Sequence, residues 1–237
     1  MPHVTDSTAE PVRAGREHPI RAILFDVDGT LLTTGGAGAS AWSQACSQIY
    51  GSPVDIEKIT ESGMTDNAVA KAALRSVLGR DPKPNEVDDL TDAYLTYLPD
   101  SVASSDHYRL SPGVVGLLDR LSSEGLVLGL TTGNVEPAAR IKLERGDLNR
   151  FFAFGGFGSD SDQRADLTRS AMERGIQRSN GELARDDFIA VGDTPLDVLA
   201  AHGIGIRIAG VATGLYSVAE MAGADWPLKT VEAGFPA

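Results

Sequence analysis

The sequence has one cysteine, Cys46, so no internal disulfide can form and packing alone must hold the fold. That usage fits a reducing, cytoplasmic setting. Histidines are also sparse. His3, His18, His107 and His202 are scattered, and no pair has the spacing of a zinc site. No apolar run is long enough to span a bilayer as a helix. The opening stretch MPHVTDSTAEPVRAGREHP mixes acids, bases and prolines and has no apolar segment. It lacks the pattern of a signal peptide, and residues 1–19 read as a disordered leader. Positive charge is short too. The 21 Lys and Arg residues stand against 33 Asp and Glu, for a formal net charge of −12. That balance argues against nucleic acid or anionic membrane as a partner. It also means that an anionic ligand would need positive charge gathered locally.

What is present suffices for a sizeable core. The 237 residues are 42% hydrophobic, enough for one large domain or a core domain with a smaller partner. Short apolar runs bounded by turn residues read as buried strands: IRAILF from Ile20, LVLGL (126–130), FFAFGGFG (151–158), FIAVGD (188–193) and, less regularly, GIRIAGVA (205–212). Between most of them lie helical patterns that run into glycine, including PGVVGLLDRLSSEG, EPAARIKLERG, RADLTRSAMERG and TPLDVLAAHG. This alternation predicts an α/β fold, a Rossmann-like doubly wound parallel sheet covered by helices. Residues 35–109 break it. They contain no clear strand, yet Val87, Leu90, Tyr94 and Leu98 form a helical stripe, as do Val69, Ala73 and Val77. The expected organisation is an α/β core of 20–34 and 110–237 interrupted by a helical cap at 35–109.

Two aspartates close the first strand in FDVDGTLL. Alternate strand residues share a face, so Asp26 and Asp28 start on one side, roughly 6–7 Å apart. Strand ends of this kind are where open α/β sheets place ligands. Gly29 lets the chain turn there. The pair suits phosphoryl transfer. An ionised Asp26, with an ordinary pKa of about 3.9, needs no base to attack. A protonated Asp28 can give its proton to a leaving alcohol and later take one from water. A magnesium ion would offset repulsion between Asp26 and a phosphate. The plain alternative is a strand ending in a turn that caps a helix.

FDVDGTLL resembles the first signature of the haloacid dehalogenase superfamily, in its phosphatase branch. The resemblance implies that Asp26 is the nucleophile and Asp28 the general acid/base. It also implies that magnesium is held by the Asp26 carboxylate and the Asp28 backbone carbonyl. The second signature is met by VLGLTTGN, with Thr132 as the hydroxyl and Gly133 and Asn134 beside it as an anion seat. Thr131 is the neighbouring hydroxyl, but it should face the other side of the strand. IAVGDTPLD matches the fourth signature. By resemblance Asp193 is a direct metal ligand, and Asp197 acts through water or behind the ligands. Thr194, Pro195 and Asp197 also read as a helix cap. The third signature, a Lys or Arg for nucleophile and phosphate, is the loosest. Arg164 is the choice over Arg169. Lys142 ranks lower because it lies mid-helix.

The resemblance is closest to phosphoglycolate-phosphatase-like members with a helical C1 cap, and it covers roughly residues 20–225. It implies hydrolysis of a small phosphorylated metabolite through an aspartyl-phosphate; the acidic surface leaves a monomer as plausible as a homodimer. GMTDNAV in the cap resembles a G-R-T-D string of some relatives, with Met64 where an arginine would stand. Gly36, Thr65 and Asp66 are candidate cap-side contacts, and helix capping explains the last two equally well. The alternatives are a phosphomutase and a non-enzymatic phospho-accepting or metabolite-binding module. A metal-free dehalogenase is disfavoured by Asp28, which such relatives lack.

Overall fold

A computed structural model of the chain describes residues 19–237 except Ala233; the leader expected over 1–19 lies almost entirely outside the described residues. Strand β1 (Ala22–Phe25) is the centre of the molecule, and all four of its residues are buried. It pairs in parallel with β4 (Val127–Thr131) on one side and β6 (Phe188–Gly192) on the other. With β5 (Gly155–Gly156), β7 (Arg207–Val211) and β8 (Trp226–Leu228) the sheet has six strands, ordered β5-β4-β1-β6-β7-β8, and every pairing is parallel.

The period of two along the strands divides the core in two. Ile23 and Phe25 join Ile189, Val191 and Leu130 on one face, against Leu117, Leu118 and Leu121 of α4 (Val114–Ser123). Ala22 and Leu24 join Phe188, Ala190 and Ile208 on the other, with Ala171 of α6 (Arg164–Arg178) and Ala201 of α7 (Pro195–Gly203). Burial on both faces explains why these strands read as continuous apolar runs rather than alternating ones.

The insert is helical, as expected. It leaves and re-enters the core through a short antiparallel ribbon, β2 (Leu32–Thr33) against β3 (Arg109–Leu110). Between these strands, α1 (Ala37–Tyr50), α2 (Asp66–Leu78) and α3 (Pro84–Ser104) gather a separate hydrophobic cluster. The stripe of Val87, Leu90, Tyr94 and Leu98 is buried there. On α2 Ala73 is buried with Ala70 and Leu74, and the half-buried Val69 and Val77 pack against the same cluster. The expected strand at 151–158 shrinks to two residues, preceded by a 3₁₀ turn at Asn149–Phe151, and only Gly155 and Gly156 pair with β4.

Candidate active site

Asp26 stands one residue past β1, buried, and its N–H donates to the Val191 carbonyl of β6 at 2.9 Å. Three residues on, Gly29 takes φ +81°, a conformation that costs glycine little and other residues much. A side chain there would also overlap the Asp193 carboxylate, and a side chain at Gly214 would overlap it from another direction. Asp193 thus sits in a slot walled by two glycines. Thr30 Oγ1 donates to its Oδ1 at 3.0 Å.

Asp26, Asp193 and Asp197 each offer a carboxylate oxygen, all within 4.8 Å of one another. Arg164 opens α6 and reaches into this group. Its Nε donates to Asp197 Oδ1 at 2.6 Å, and its Nη2 lies 2.9 Å from Asp26 Oδ2, off the hydrogen-bond line, as an ion pair. Asp197 does two things. Its Oδ2 accepts from the Thr194 N–H at 3.0 Å and hydroxyl at 2.8 Å, capping α7, while Oδ1 meets Arg164.

Burial is the main force on these acids. It raises the pKa of Asp26, opposed by Arg164 and reinforced by Asp197 and Asp28. It raises Asp193 too, with Asp26 and Asp197 adding to the rise. The expectation of an Asp26 with an ordinary pKa is therefore corrected: without a further cation, burial and neighbouring acids favour its protonated form. Full ionisation of three carboxylates against one guanidinium leaves two negative charges. An all-oxygen donor set of that charge suits a hard divalent cation.

Asp28 is treated differently. Its Oδ2 accepts from Asn134 Nδ2 at 2.7 Å and from Lys142 Nζ at 2.7 Å. Lys142 also donates to Asn134 Oδ1 at 2.6 Å. Arg164 is the cation beside Asp26, the position for which Lys142 ranked lower, and Lys142 meets Asp28 instead. The inward face of α5 (Glu136–Glu144) comprises Ala138, Ala139, Lys142 and Leu143, so a mid-helix position delivers the ammonium to Asp28. The site holds both cations.

A haloacid dehalogenase-like hydrolase model matches residues 20–205. The chain belongs to this family. A phosphoglycolate phosphatase of Agrobacterium fabrum is 28% identical over 196 residues, 82% of each chain. The crystal structure of a predicted phosphoglycolate phosphatase from Haemophilus somnus superposes with a TM-score of 0.68 at 19% identity, covering 89% of this chain and 94% of that one. CbbY from Rhodobacter sphaeroides, solved in complex with phosphate, gives 0.67 at 23% identity, covering 88% and 93%. These likenesses support the hydrolase core with its helical cap.

The remaining residues singled out by the family signatures fall as follows. A cavity of about 240 Å³ opens between sheet end and cap, lined by Asp26, Asp28, Thr132, Gly133, Asn134 and Arg164 from the core side. Thr132 Oγ1 accepts from Asn134 Nδ2 at 2.8 Å, whereas Thr131 pairs with Thr168 away from the cavity, as strand alternation requires. Gly36 and Asp66 line the cap side; Thr65 does not. Thr65 Oγ1 accepts from the Ala68 N–H and caps α2, so helix capping accounts for it. Asp66 joins cap to core: its N–H donates to the Gly133 carbonyl and its Oδ2 accepts from the Val135 N–H, both at 2.8 Å. Burial pushes its pKa up to about 6, against the pull of Lys142. Lys142, Trp42 and Tyr94 also line the cavity and were not singled out as site residues from the sequence. A lysine inside an otherwise apolar helix face, in RIKLERG, was the available signal for the first.

Proposed function

We propose that the protein is a magnesium-dependent phosphatase that hydrolyses a small phosphorylated metabolite through an aspartyl-phosphate on Asp26. The observation that carries this reading is the unequal treatment of the two aspartates of D-x-D-G. Asp26 faces Arg164 and the carboxylate cluster, and Asp28 faces Lys142 and Asn134. Paired acids held in different surroundings are what separate nucleophilic and proton-transfer roles require.

In the first step an Asp26 oxygen attacks phosphorus and the bond from phosphorus to the substrate alcohol breaks. Asp28 gives its proton to that leaving oxygen. In the second step water attacks the same phosphorus, Asp28 takes a proton from it, and the bond to Asp26 breaks to free inorganic phosphate. Asn134 and Lys142 hold Asp28 by one oxygen, which fixes the other for proton transfer. Thr132 and the turn at Gly133 seat phosphoryl oxygens beside Arg164. Asp26 and Asp193 would hold magnesium directly, with the Asp28 backbone carbonyl, and Asp197 would act from behind them. Bound there, the ion would supply positive charge that offsets the repulsion of nucleophile and phosphoryl group. The cavity of about 240 Å³ equals about eight waters at ~30 Å³ each, in keeping with a small substrate. The name of the Agrobacterium fabrum relative points the same way.

Turnover of para-nitrophenyl phosphate, with magnesium and with EDTA, tests the reading. Activity should vanish with EDTA and in Asp26→Asn. Full activity in either case contradicts it. Release of inorganic phosphate, instead of an isomerised sugar phosphate, separates the phosphatase from the mutase.

A further inference from the structure

Tyr94 is the largest side chain buried completely, and its phenol oxygen has no hydrogen-bond partner among the described residues. A buried hydroxyl without a partner is costly, so such groups normally find one. Tyr94 is also held rigidly. Its ring stacks on Trp42 with centroids 3.9 Å apart and planes 3° apart. Both residues line the cavity, from α3 and α1 of the cap. Burial, with Asp66 and Asp28 adding to it, holds the phenol neutral, so it remains a donor.

Lys142 lines the same cavity from the core. An ammonium has three N–H donors. Asp28 and Asn134 take two of them, and the third has no hydrogen-bond partner among the described residues. The cavity lining therefore includes two residues, besides Asp26 and Arg164, that each hold a buried donor without a partner among the described residues. One of them is cationic. A carboxylate, with two acceptor oxygens and one negative charge, matches that pair.

We propose that Tyr94 Oη and Lys142 Nζ form a second subsite, which binds a carboxylate on the non-phosphoryl end of the substrate and selects compact phosphorylated hydroxy acids. This rests on the phosphatase reading and deepens it. Tyr94 acts here as a specificity residue donated by the cap. An ester whose organic part lacks an acceptor leaves both donors unsatisfied, and a site of that kind rejects the analogue strongly.

The test compares 2-phosphoglycolate with ethyl phosphate, which has the same length and no carboxylate. Tyr94→Phe removes only the oxygen. Lys142 is less clean as a probe because it also holds Asp28. The wild-type protein should prefer the acid, and Tyr94→Phe should lower the ratio of kcat/KM for acid over ethyl ester at least tenfold. Equal losses on both esters, or an unchanged ratio, would overturn the subsite. Thermal unfolding is the second readout. Deleting an unsatisfied hydroxyl should leave Tm unchanged or raise it by about 2–4 °C. A fall of several degrees would show that the oxygen has a structural partner and would also overturn the proposal. If the wild-type protein hydrolyses neither ester, turnover of para-nitrophenyl phosphate alone would overturn the subsite, and no turnover of it either means that the phosphatase reading fails. The subsite is then judged by calorimetric binding of 2-phosphoglycolate to Asp26→Asn protein, which Tyr94→Phe should weaken about tenfold, and no change would overturn it.

Discussion

Arg164 Nη2 lies 2.9 Å from Asp26 Oδ2, and the same guanidinium grips Asp197 at 2.6 Å through Nε. Both carboxylates are buried and the Arg164 side chain is 10% exposed, so the arginine compensates charge that water reaches poorly. Removing one partner of a buried pair typically costs about 3–5 kcal/mol. Arg164→Ala should therefore lower unfolding free energy by that order in urea titrations and cut kcat/KM by about 10²–10³. Arg164→Lys should recover part of the stability and little of the activity, because an ammonium cannot span two carboxylates. Wild-type kinetics in Arg164→Ala would remove this residue from the site.

The buried acids make stability depend on pH in a direction opposite to the usual carboxylate. Asp26 and Asp193 have folded-state pKa values above their unfolded ones, and so does Asp66, at about 6. Between the unfolded and folded values the native state binds more protons than the unfolded one, so stability falls as pH rises. The metal-free protein should thus lose Tm from about pH 4, the unfolded carboxylate value, upward through about pH 8. Magnesium compensates the ionised cluster, so the Tm gain it gives should be larger at the alkaline end. Melting curves with EDTA or magnesium across that range check this. An equal gain at both ends would contradict it.

Asp28 carries the proton, so its importance depends on the leaving group. Asp28→Asn keeps an oxygen to accept from Lys142 and Asn134, and the fold should persist. Its kcat on alkyl phosphates should drop by about 10²–10⁴. The drop on para-nitrophenyl phosphate should be smaller in the step that expels the alcohol, since nitrophenolate needs little protonation. Burst kinetics separate that step from hydrolysis of the intermediate. Equal losses on both substrate types in the first step would remove the acid role.

Gly29 is the hinge on which the site turns. Its φ of +81° and the Asp193 carboxylate against it leave no space for a methyl group. Gly29→Ala should destabilise the protein by about 1–3 kcal/mol and shift Asp193 out of its slot. Calorimetric magnesium affinity should fall with it, in contrast to Gly51→Ala, where positive φ is the only obstacle and nothing lies within 4 Å.

Much of this was legible because period and punctuation agree with the fold. AILF and FIAVG are buried on both faces, so their apolar runs marked the central strands. Asp26, Thr132 and Asp193 follow the ends of β1, β4 and β6, where strand chemistry gives way to a turn. Strand β8 was not visible, since WPL is short, contains proline and pairs only at the sheet edge. Lys142 was not placed at Asp28 because helix position alone does not tell which face turns inward. Tyr94 was read as core, and it is core; what periodicity does not carry is the state of its hydroxyl. The pKa of Asp26 was misjudged because burial depends on how Arg164, Asp193 and Asp197 converge from distant parts of the chain.

The central claim is that Asp26 carries the phosphoryl group. Rapid acid quench of the enzyme with a phosphoryl-labelled ester, followed by peptide mapping, tests it directly. The account predicts label on the peptide containing Asp26, formed before free phosphate, dependent on magnesium and absent from Asp26→Asn. Phosphate release with no labelled protein, or with label on another residue, would contradict it.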